Sequence, residues 1–136
     1  MTLKERTNAL SRVSIFAGLS RRSLEKIART ANEFEAPAGQ VLIEPRTAGS
    51  GMFVLLEGTA MVDLRGSRSY DVNPGECFGE LALLSSAGSR LARVRAKTPV
   101  RCLAIARNDF VSMLAAEPTL SLAILQNLAA RLAAQQ

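Results

Sequence analysis

Three side chains that often carry chemistry are absent or scarce in this sequence. It contains no histidine, no tryptophan and a single tyrosine, Tyr70. Without an imidazole the chain can form neither a Ser-His triad nor a histidine-based metal site, and it has no histidine for acid–base catalysis. Without an indole, a planar ligand cannot be stacked on tryptophan. These absences exclude a large share of the known enzyme classes.

Cysteine is also scarce. Cys77 and Cys102 are the only two, and they form no Cys-x-x-Cys pattern. Isolated cysteines do not indicate a zinc or iron–sulfur site, so no metal ligand is assigned. Both stand in apolar contexts, which is typical of buried free thiols in a cytosolic protein. No secretory or lipidation signal and no bilayer-spanning stretch is recognisable, and we expect a cytoplasmic protein.

The size and charge of the chain indicate one globular unit. It has 136 residues, of which 48% are hydrophobic, and a formal net charge of +5. This length supports a single core, so one domain is expected over residues 1–136. The basic residues are scattered, with no run longer than Arg21-Arg22. The excess positive charge is therefore interpreted as a solvated surface, without direct nucleic acid binding.

The N-terminal residues 1–36 are predicted to be mainly helical, with helices over 3–16 and 20–32. The apolar positions of the second helix recur at helical spacing: Leu24, Ile27, Ala28 and Ala31. Ser20 can cap this helix through its hydroxyl. A turn is predicted next, at Pro37-Ala38-Gly39.

Residues 37–107 show short β-type runs broken by Gly, Pro, Asp and Ser. The assigned strands are Val41–Ile43, Met52–Leu56, Ala60–Leu64 and Cys102–Ile105. Strands and helices do not alternate as in βαβ units, which favours a closed antiparallel roll or barrel over a parallel sheet. The predicted fold class is α+β: an antiparallel β-roll, resembling a jelly-roll barrel, with N-terminal and C-terminal helices packed on it.

Residues 108–136 are predicted to form two further helices. Asn108-Asp109 opens the first helix, and Pro118 lies near the start of the second, where proline is tolerated. The second helix carries one apolar stripe, assigned to Leu125, Leu128 and Leu132. This stripe can cap the roll or pair with a second copy in a homodimer, and a combination of the two is favoured.

The most informative segment is Phe78-Gly79-Glu80-Leu81-Ala82-Leu83-Leu84, which is followed by Arg90-Leu91-Ala92. Gly79 lacks a Cβ atom, so the backbone can approach a ligand closely there. A helix that begins near this glycine exposes unpaired N–H groups, which suit a phosphate. Glu80 can accept hydrogen bonds from sugar hydroxyls. Together these residues could hold an anionic sugar phosphate.

Arg90 is singled out by the alternating pattern of residues 90–96. In a strand, Arg90 shares a face with the alanines and the valine, whereas Arg93 and Arg95 lie on the opposite, solvated face. A guanidinium on an apolar face is costly unless it is paired, and a phosphate would pair it. On periodicity alone, a bridge to Glu80 or a frayed strand end is an equal alternative.

This segment resembles the phosphate-binding cassette of the cyclic nucleotide-binding domains, a family that includes bacterial catabolite activators, protein kinase A regulatory subunits and cyclic-nucleotide-gated channels. The loop Ser85–Ser89 is similar in length to that of the activators. The resemblance extends to Ile15–Ser20, Phe53–Gly58, Pro74-Gly75-Glu76 and Val94–Thr98. It implies a cassette over residues 78–92 and these ligand-binding residues: Gly79, Glu80, Leu81, Ala82, Arg90, Leu91 and Ala92.

The resemblance further implies a regulatory module that binds cyclic AMP and transmits occupancy through its C-terminal helix. Lid candidates in that helix are Leu128, Leu132 and Gln135. Cyclic GMP is less favoured, because Leu91 stands where the family often has a hydroxyl that can bond guanine. The cassette offers an acid and an arginine but no base or nucleophile, so no enzyme is expected, and neither catalytic residues nor cofactors are assigned.

Two alternatives stay open. The chain can be the sensory half of a bacterial transcription regulator without its DNA-binding part. It can also be a structural interaction domain that has kept the fold and lost the ligand. Whether it is a stand-alone sensor or a piece of a longer protein is equally undecided by the sequence.

Overall fold

The computed structural model describes residues 1–44, 51–63, 69–79 and 93–134, without the side chains of Arg131, Leu132 and Ala134. The chain starts with α1 (Leu3–Ser11), a 3₁₀ helix (Ser14–Phe16) and α2 (Arg21–Thr30). The described strands are β1 (Asn32–Ala36), β2 (Val41–Ile43), β3 (Gly51–Glu57), β4 (Ala60–Asp63), β5 (Ser69–Val72), β6 (Cys77–Phe78), β7 (Arg93–Ala96) and β8 (Val100–Ala106). Two helices follow, α3 (Arg107–Ala116) and α4 (Pro118–Ala134).

The strands form two antiparallel sheets within the described ranges. The strand order is β1-β8-β3-β6 in the first sheet and β2-β7-β4-β5 in the second. Side chains from both sheets share one apolar cluster, so the sheets face each other as a roll. The predicted antiparallel β-roll with flanking helices is confirmed. Closure into a barrel is not observed among the described strands, which remain in two separate sheets.

Two apolar clusters lie on opposite faces of the first sheet. The roll cluster lies between the sheets and consists of Ala36, Ile43, Leu55, Ala60, Val62, Val72, Phe78, Val94, Ala96, Val100 and Cys102. The helix-side cluster joins the other face of the sheet to the helices, and its members include Phe16, Leu24, Ile27, Met52, Val54, Cys77, Leu103, Ile105, Phe110, Leu120 and Ile124. The fold therefore has two cores that share one sheet.

Strand β7 shows the alternation expected from its sequence. Val94 and Ala96 are buried in the roll cluster, whereas Arg93 and Arg95 are exposed. Successive strand residues point to opposite faces, so this arrangement follows directly from the R-V-R-A pattern. The prediction that both arginines lie on the solvated face is confirmed.

Helix α2 begins where the sequence predicted it. The Ser20 hydroxyl accepts a hydrogen bond from the Ser23 N–H at 3.2 Å, which caps the first turn. The helix ends at Thr30, because Ala31 is already extended and leads into β1. The prediction of helix up to residue 32 and the absence of a strand before Val41 are both wrong. The sequence of β1, N-E-F-E-A, is short and polar and gives little strand signal.

Two other helix boundaries differ from the predictions. Helix α1 ends at Ser11, and Ser14–Phe16 form a separate 3₁₀ helix instead of its continuation. Helix α3 begins at Arg107, and the preceding Ala106 makes no side-chain capping hydrogen bond. The helix predicted to open at Asn108-Asp109 is confirmed, and it begins one residue earlier.

Helix α4 starts at Pro118, as predicted. Its inward face consists of Leu120, Ile124 and Leu128, which contact the helix-side cluster at a spacing of four residues. Leu125 is 63% exposed whereas Leu128 packs against the cluster, so the predicted stripe does not cap the core as one buried face. The sequence analysis counted only leucines and missed Ile124. The helical period places Ile124 on the same face as Leu120 and Leu128.

The two cysteines lie on opposite faces of the first sheet. Cys77 pairs in register with Val54 and belongs to the helix-side cluster, whereas Cys102 pairs with Leu55 and belongs to the roll cluster. Both are buried and neither forms a disulfide. Burial raises the pKa of the Cys102 thiol to about 11. The expectation of buried cysteines without a disulfide is confirmed.

Candidate ligand site at the junction of the two sheets

The predicted cassette connects the two sheets. Strand β6 is an edge strand of the first sheet, and β7 lies between β2 and β4 in the second. The chain therefore passes from one sheet to the other between Gly79 and Arg93. The remaining predicted ligand residues lie outside the described residues: Glu80, Leu81, Ala82, Arg90, Leu91 and Ala92. What the structure defines are the two anchors of the segment.

Gly79 forms the first anchor. Its φ of 88° lies in the left-handed region, which glycine adopts without the steric cost that a Cβ would bring. The preceding Phe78 is buried and stacks on Phe53 with ring centroids 5.2 Å apart. The direction in which the chain leaves β6 is therefore fixed by a packed aromatic ring and by a glycine conformation.

A turn before β6 strengthens this anchor. The Gly75 N–H donates to the Leu55 carbonyl oxygen at 2.9 Å, and the Leu55 N–H donates to the Glu76 carbonyl oxygen at 3.0 Å. The Glu76 carboxylate accepts the Asn73 N–H at 2.7 Å, so it serves the turn. The Pro74-Gly75-Glu76 motif seen in the sequence thus holds the entry to the cassette against β3.

The second anchor is β7. Arg93 forms an ion pair with Glu44, with Nη2 and Oε2 3.3 Å apart, and Arg95 forms one with Asp63, with Nε and Oδ2 3.7 Å apart. Both pairs are exposed and lie on the outer face of the sheet. These two arginines are therefore directed away from the roll cluster, to which β7 contributes only Val94 and Ala96.

The lid candidates are only partly placed. Leu128 is half-buried and packs against the helix-side cluster, on the far face of the first sheet from the roll cluster. The neighbouring Asn127 donates a hydrogen bond from Nδ2 to the Ser14 carbonyl oxygen, which ties α4 to the 3₁₀ helix. The Leu132 side chain and Gln135 lie outside the described residues.

A second glycine with a constrained conformation, which the sequence reasoning did not single out, lies between β3 and β4. Gly58 connects β3 to β4 with a φ of +87°, and a Cβ there would lie 2.1 Å from the Pro99 carbonyl oxygen. The neighbouring Thr59 N–H donates to the Thr98 hydroxyl at 2.9 Å. The only sequence signal is a glycine directly after a strand. This close approach sets where the second sheet starts relative to the first.

Some kinds of site are not found in the part of the chain that the structure describes. No group of three or more His, Cys, Asp or Glu residues there could hold a metal ion. No helix there is long and apolar enough to cross a membrane.

Comparison with known proteins identifies the family. The family model for the cyclic nucleotide-binding domain matches residues 33–117, a range that contains both anchors and the cassette between them. The chain belongs to the cyclic nucleotide-binding domain family, and the resemblance found in its sequence is confirmed.

Two relatives illustrate the range of proteins that carry this domain. The chain is 34% identical over 125 residues to Glutaminase 2 of Bradyrhizobium diazoefficiens, covering 91% of this chain and 20% of that protein. It is 33% identical over 109 residues to the cAMP-dependent protein kinase regulatory subunit of Emericella nidulans, covering 77% of this chain and 26% of that protein. The chain thus spans about a fifth to a quarter of these relatives.

A solved structure supports the fold. The sensor domain of the transcriptional regulator DNR from Pseudomonas aeruginosa superimposes with a TM-score of 0.82, covering 98% of this chain and 92% of that one. The sequence identity is 16%, so this likeness concerns the architecture alone.

Proposed function

We propose that this chain is a regulatory module that senses cyclic AMP. The observation that carries the proposal is the family match over residues 33–117, which spans the whole cassette. Within it the sequence supplies Gly79, Glu80 and Arg90 at the spacing of the family motif. The kinase subunit among the relatives is named as cAMP-dependent, which supports this nucleotide over others.

Each proposed ligand residue has a physical role. Arg90 pairs with the cyclic phosphate, because a guanidinium fits two phosphate oxygens at once. Glu80 accepts hydrogen bonds from the ribose hydroxyl. Gly79 allows close backbone approach, and the backbone N–H groups of Leu81 and Ala82 face the phosphate. Leu91 and Ala92 provide apolar contact beside the purine.

The described structure supports the role of Arg90 in two ways. Val94 and Ala96 of β7 point inward, which agrees with the sequence pattern that predicts an inward position for Arg90. In addition, Thr7 of α1 is the only polar or charged residue that is buried among the described residues, so none of them places a buried charge inside the roll. The counter-charge for an anionic ligand in the roll then comes from the cassette, and Arg90 is suited to provide it.

Preference for cyclic AMP over cyclic GMP follows from Leu91. The hydroxyl that bonds a guanine base in the family is missing at this position, while apolar contact remains available to either base. The preference is therefore modest. Substitution Leu91→Thr should narrow it by improving cyclic GMP binding, and equal affinities of the parent protein for the two nucleotides would contradict this part of the proposal.

The output of the module is proposed to run through α4. Its outward face carries Leu122 and Leu125, which are 56% and 63% exposed. This face fits a second copy of the chain in a homodimer. Separately, Leu128, Leu132 and Gln135 of the C-terminal segment are proposed as lid residues over the bound nucleotide. We further propose a cytoplasmic, non-enzymatic module that does not itself bind nucleic acid. The chain has no histidine, which is consistent with a binding role.

Calorimetric titration with cyclic AMP and cyclic GMP tests the proposal. Arg90→Ala should weaken cyclic AMP binding at least about thirtyfold, because it leaves a buried phosphate without its charged partner, a loss of about 2–5 kcal/mol. The matched control is Arg93→Ala, which removes an exposed arginine paired with Glu44 and should leave the affinity unchanged. If Arg90→Ala binds like the parent, the site assignment is wrong; if the parent binds neither nucleotide, the sensing function is wrong.

A further inference from the structure

The corner between α3 and α4 has limited apolar burial, which comes from Met113 and Leu114, both half-buried against the helix-side cluster. None of residues 111–119 is buried, whereas the flanking Phe110 and Leu120 are almost completely buried. Segments with few buried apolar contacts open locally at low free-energy cost. Polar contacts, those of Glu117 with α2 among them, therefore contribute to the position of this corner beside the half-buried Met113 and Leu114.

Glu117 is the boundary residue of both helices. A residue before proline is disfavoured in the helical region, and Glu117, before Pro118, is extended with φ −128° and ψ 95°. Its N–H donates to the Met113 carbonyl oxygen at 3.0 Å, which closes α3. Its carbonyl oxygen accepts the Ser121 N–H at 3.2 Å, which starts α4. Pro118 thus keeps the backbone of Glu117 out of the helical conformation.

The Glu117 carboxylate contacts α2 through two side chains. Oε2 accepts a hydrogen bond from the Ser23 hydroxyl at 2.7 Å, and Oε1 lies 3.5 Å from Nζ of Lys26. The Glu117 side chain is 24% exposed, so solvent screens these contacts less than those of a free surface pair. Ser23 lies in the first turn of α2, where the helix dipole favours a negative charge. The carboxylate therefore joins segments about ninety positions apart in sequence.

We propose that Glu117 is a positioning residue that fixes the α3–α4 corner on α2 through Ser23 and Lys26, and thereby sets the placement of the C-terminal helices. The coupling of this placement to nucleotide occupancy rests on the proposed sensing function. The fixation of the corner does not. By linkage, if the corner differs between occupied and empty states, a change at Glu117 alters nucleotide affinity, and nucleotide alters the corner.

Hydrogen exchange of the ligand-free protein tests the fixation. Glu117→Ala should speed amide exchange in residues 111–119 about tenfold, on the scale of one lost hydrogen bond to a charged group. Exchange in β3 and β8 should stay unchanged. The matched control is Glu25→Ala, which removes an exposed carboxylate of α2 paired with Arg21 and should leave residues 111–119 unaffected.

A charge exchange separates positioning from general destabilisation. In the double variant Lys26→Glu with Glu117→Lys, the ion pair is restored with reversed sign, and we expect at least half of the lost protection to return. Unchanged exchange at 111–119 in Glu117→Ala overturns the proposal. Accelerated exchange throughout the molecule, without recovery in the double variant, also overturns it, because Glu117 would then serve stability alone.

Calorimetry with cyclic AMP tests the coupling. Glu117→Ala should change the dissociation constant at least about threefold relative to the parent and to Glu25→Ala, while Arg90 and the rest of the cassette are intact. If exchange rises at the corner but affinity stays constant, the coupling is wrong and the fixation stands. If the parent does not bind cyclic AMP, the sensing function and its coupling fail together, and the exchange result still decides the fixation.

Discussion

The two faces of the first sheet are packed in different ways. The helix-side cluster is built from large side chains, and its fully buried members include Phe16, Ile27, Ile105, Phe110 and Leu120. Among the described residues, the buried members of the roll cluster are mainly alanine and valine, and the larger Phe34, Leu42 and Phe53 pack against them while only partly buried. Buried area per residue, and with it the stabilisation, is therefore larger on the helix side. The first sheet therefore separates the helix-side cluster, which contributes more to stability, from the roll cluster between the two sheets.

The difference has a geometric cause. Helices can settle on a sheet at whatever distance their side chains require, so large residues are accommodated there. The two sheets of a roll lie at a roughly fixed separation of about 10 Å, and the backbones of Gly58 and Pro99 approach each other closely. Small side chains suit this restricted space. The large buried side chains and the small ones therefore lie on different faces of the same strands.

The first prediction tests the difference in stabilisation directly. Phe110→Ala should lower the free energy of unfolding by about 3–5 kcal/mol, because it opens a cavity in the helix-side cluster. Val62→Ala in the roll cluster should cost about 2 kcal/mol, since it removes fewer buried carbon atoms. Urea unfolding measures both. Equal costs for the two variants would mean that the two cores are energetically equivalent.

The second prediction concerns the junction that brings the sheets together. Gly58→Ala should lower the free energy of unfolding by about 2–4 kcal/mol, because left-handed strain and a backbone clash act together. Gly39→Ala is the matched control, since Gly39 has a similar φ of +89° but open space around it. It should cost only the strain, about 1–2 kcal/mol. If Gly58→Ala and Gly39→Ala lose the same stability in thermal unfolding, the close approach of Gly58 to Pro99 adds no cost to the substitution.

The third and smallest effect is a pH dependence of stability at Glu33 in β1, an edge strand of the first sheet. Hydrogen bonds from the N-terminal ammonium of Met1 and from Arg101 lower the pKa of Glu33. A lowered pKa in the folded state adds stability at neutral pH, and this contribution is lost as the pH falls through the folded-state pKa. Glu33→Gln should therefore be less stable than the parent at neutral pH, with a difference that shrinks in acid.

Urea unfolding across the acidic range checks this third prediction. The control is Asp71→Asn, which removes one partner of an exposed pair with Lys97. Because exposed pairs contribute about 0–1 kcal/mol, this variant should stay close to the parent throughout. A constant gap between Glu33→Gln and the parent at every pH would contradict the assigned effect.

The parts of the fold that could be predicted are those with strong periodicity. The inward residues of α2 and the alternation of β7 were correct, because charged and apolar residues alternate there without ambiguity. Strand β1 was missed, because its partners in β8 make it a strand more than its own residues do. The buried face of α4 was not predicted, because the stripe was drawn through leucines without Ile124, whose burial depends on how α4 packs on the 3₁₀ helix.

For the candidate site, sequence supplied the chemistry and the structure supplied the anchors. The choice of Glu80 and Arg90 came from residue type, parity and family motif, and it stays a prediction. The left-handed Gly79 and the inward Val94 frame the segment from both sides. The contact between Glu117 and Ser23 could not be predicted, because no local pattern connects residues so far apart in the chain.

The opposite placement of Cys77 and Cys102 gives the protein two independent chemical reporters. Because the sheet stands between the two sulfur atoms, oxidation cannot join them within one folded chain. Each thiol can be reached by an alkylating reagent only when its own side of the sheet opens. With its pKa raised to about 11, Cys102 has very little thiolate at neutral pH, so its labelling is slow as long as the roll stays closed. Comparing the two labelling rates would therefore show which of the two cores opens first.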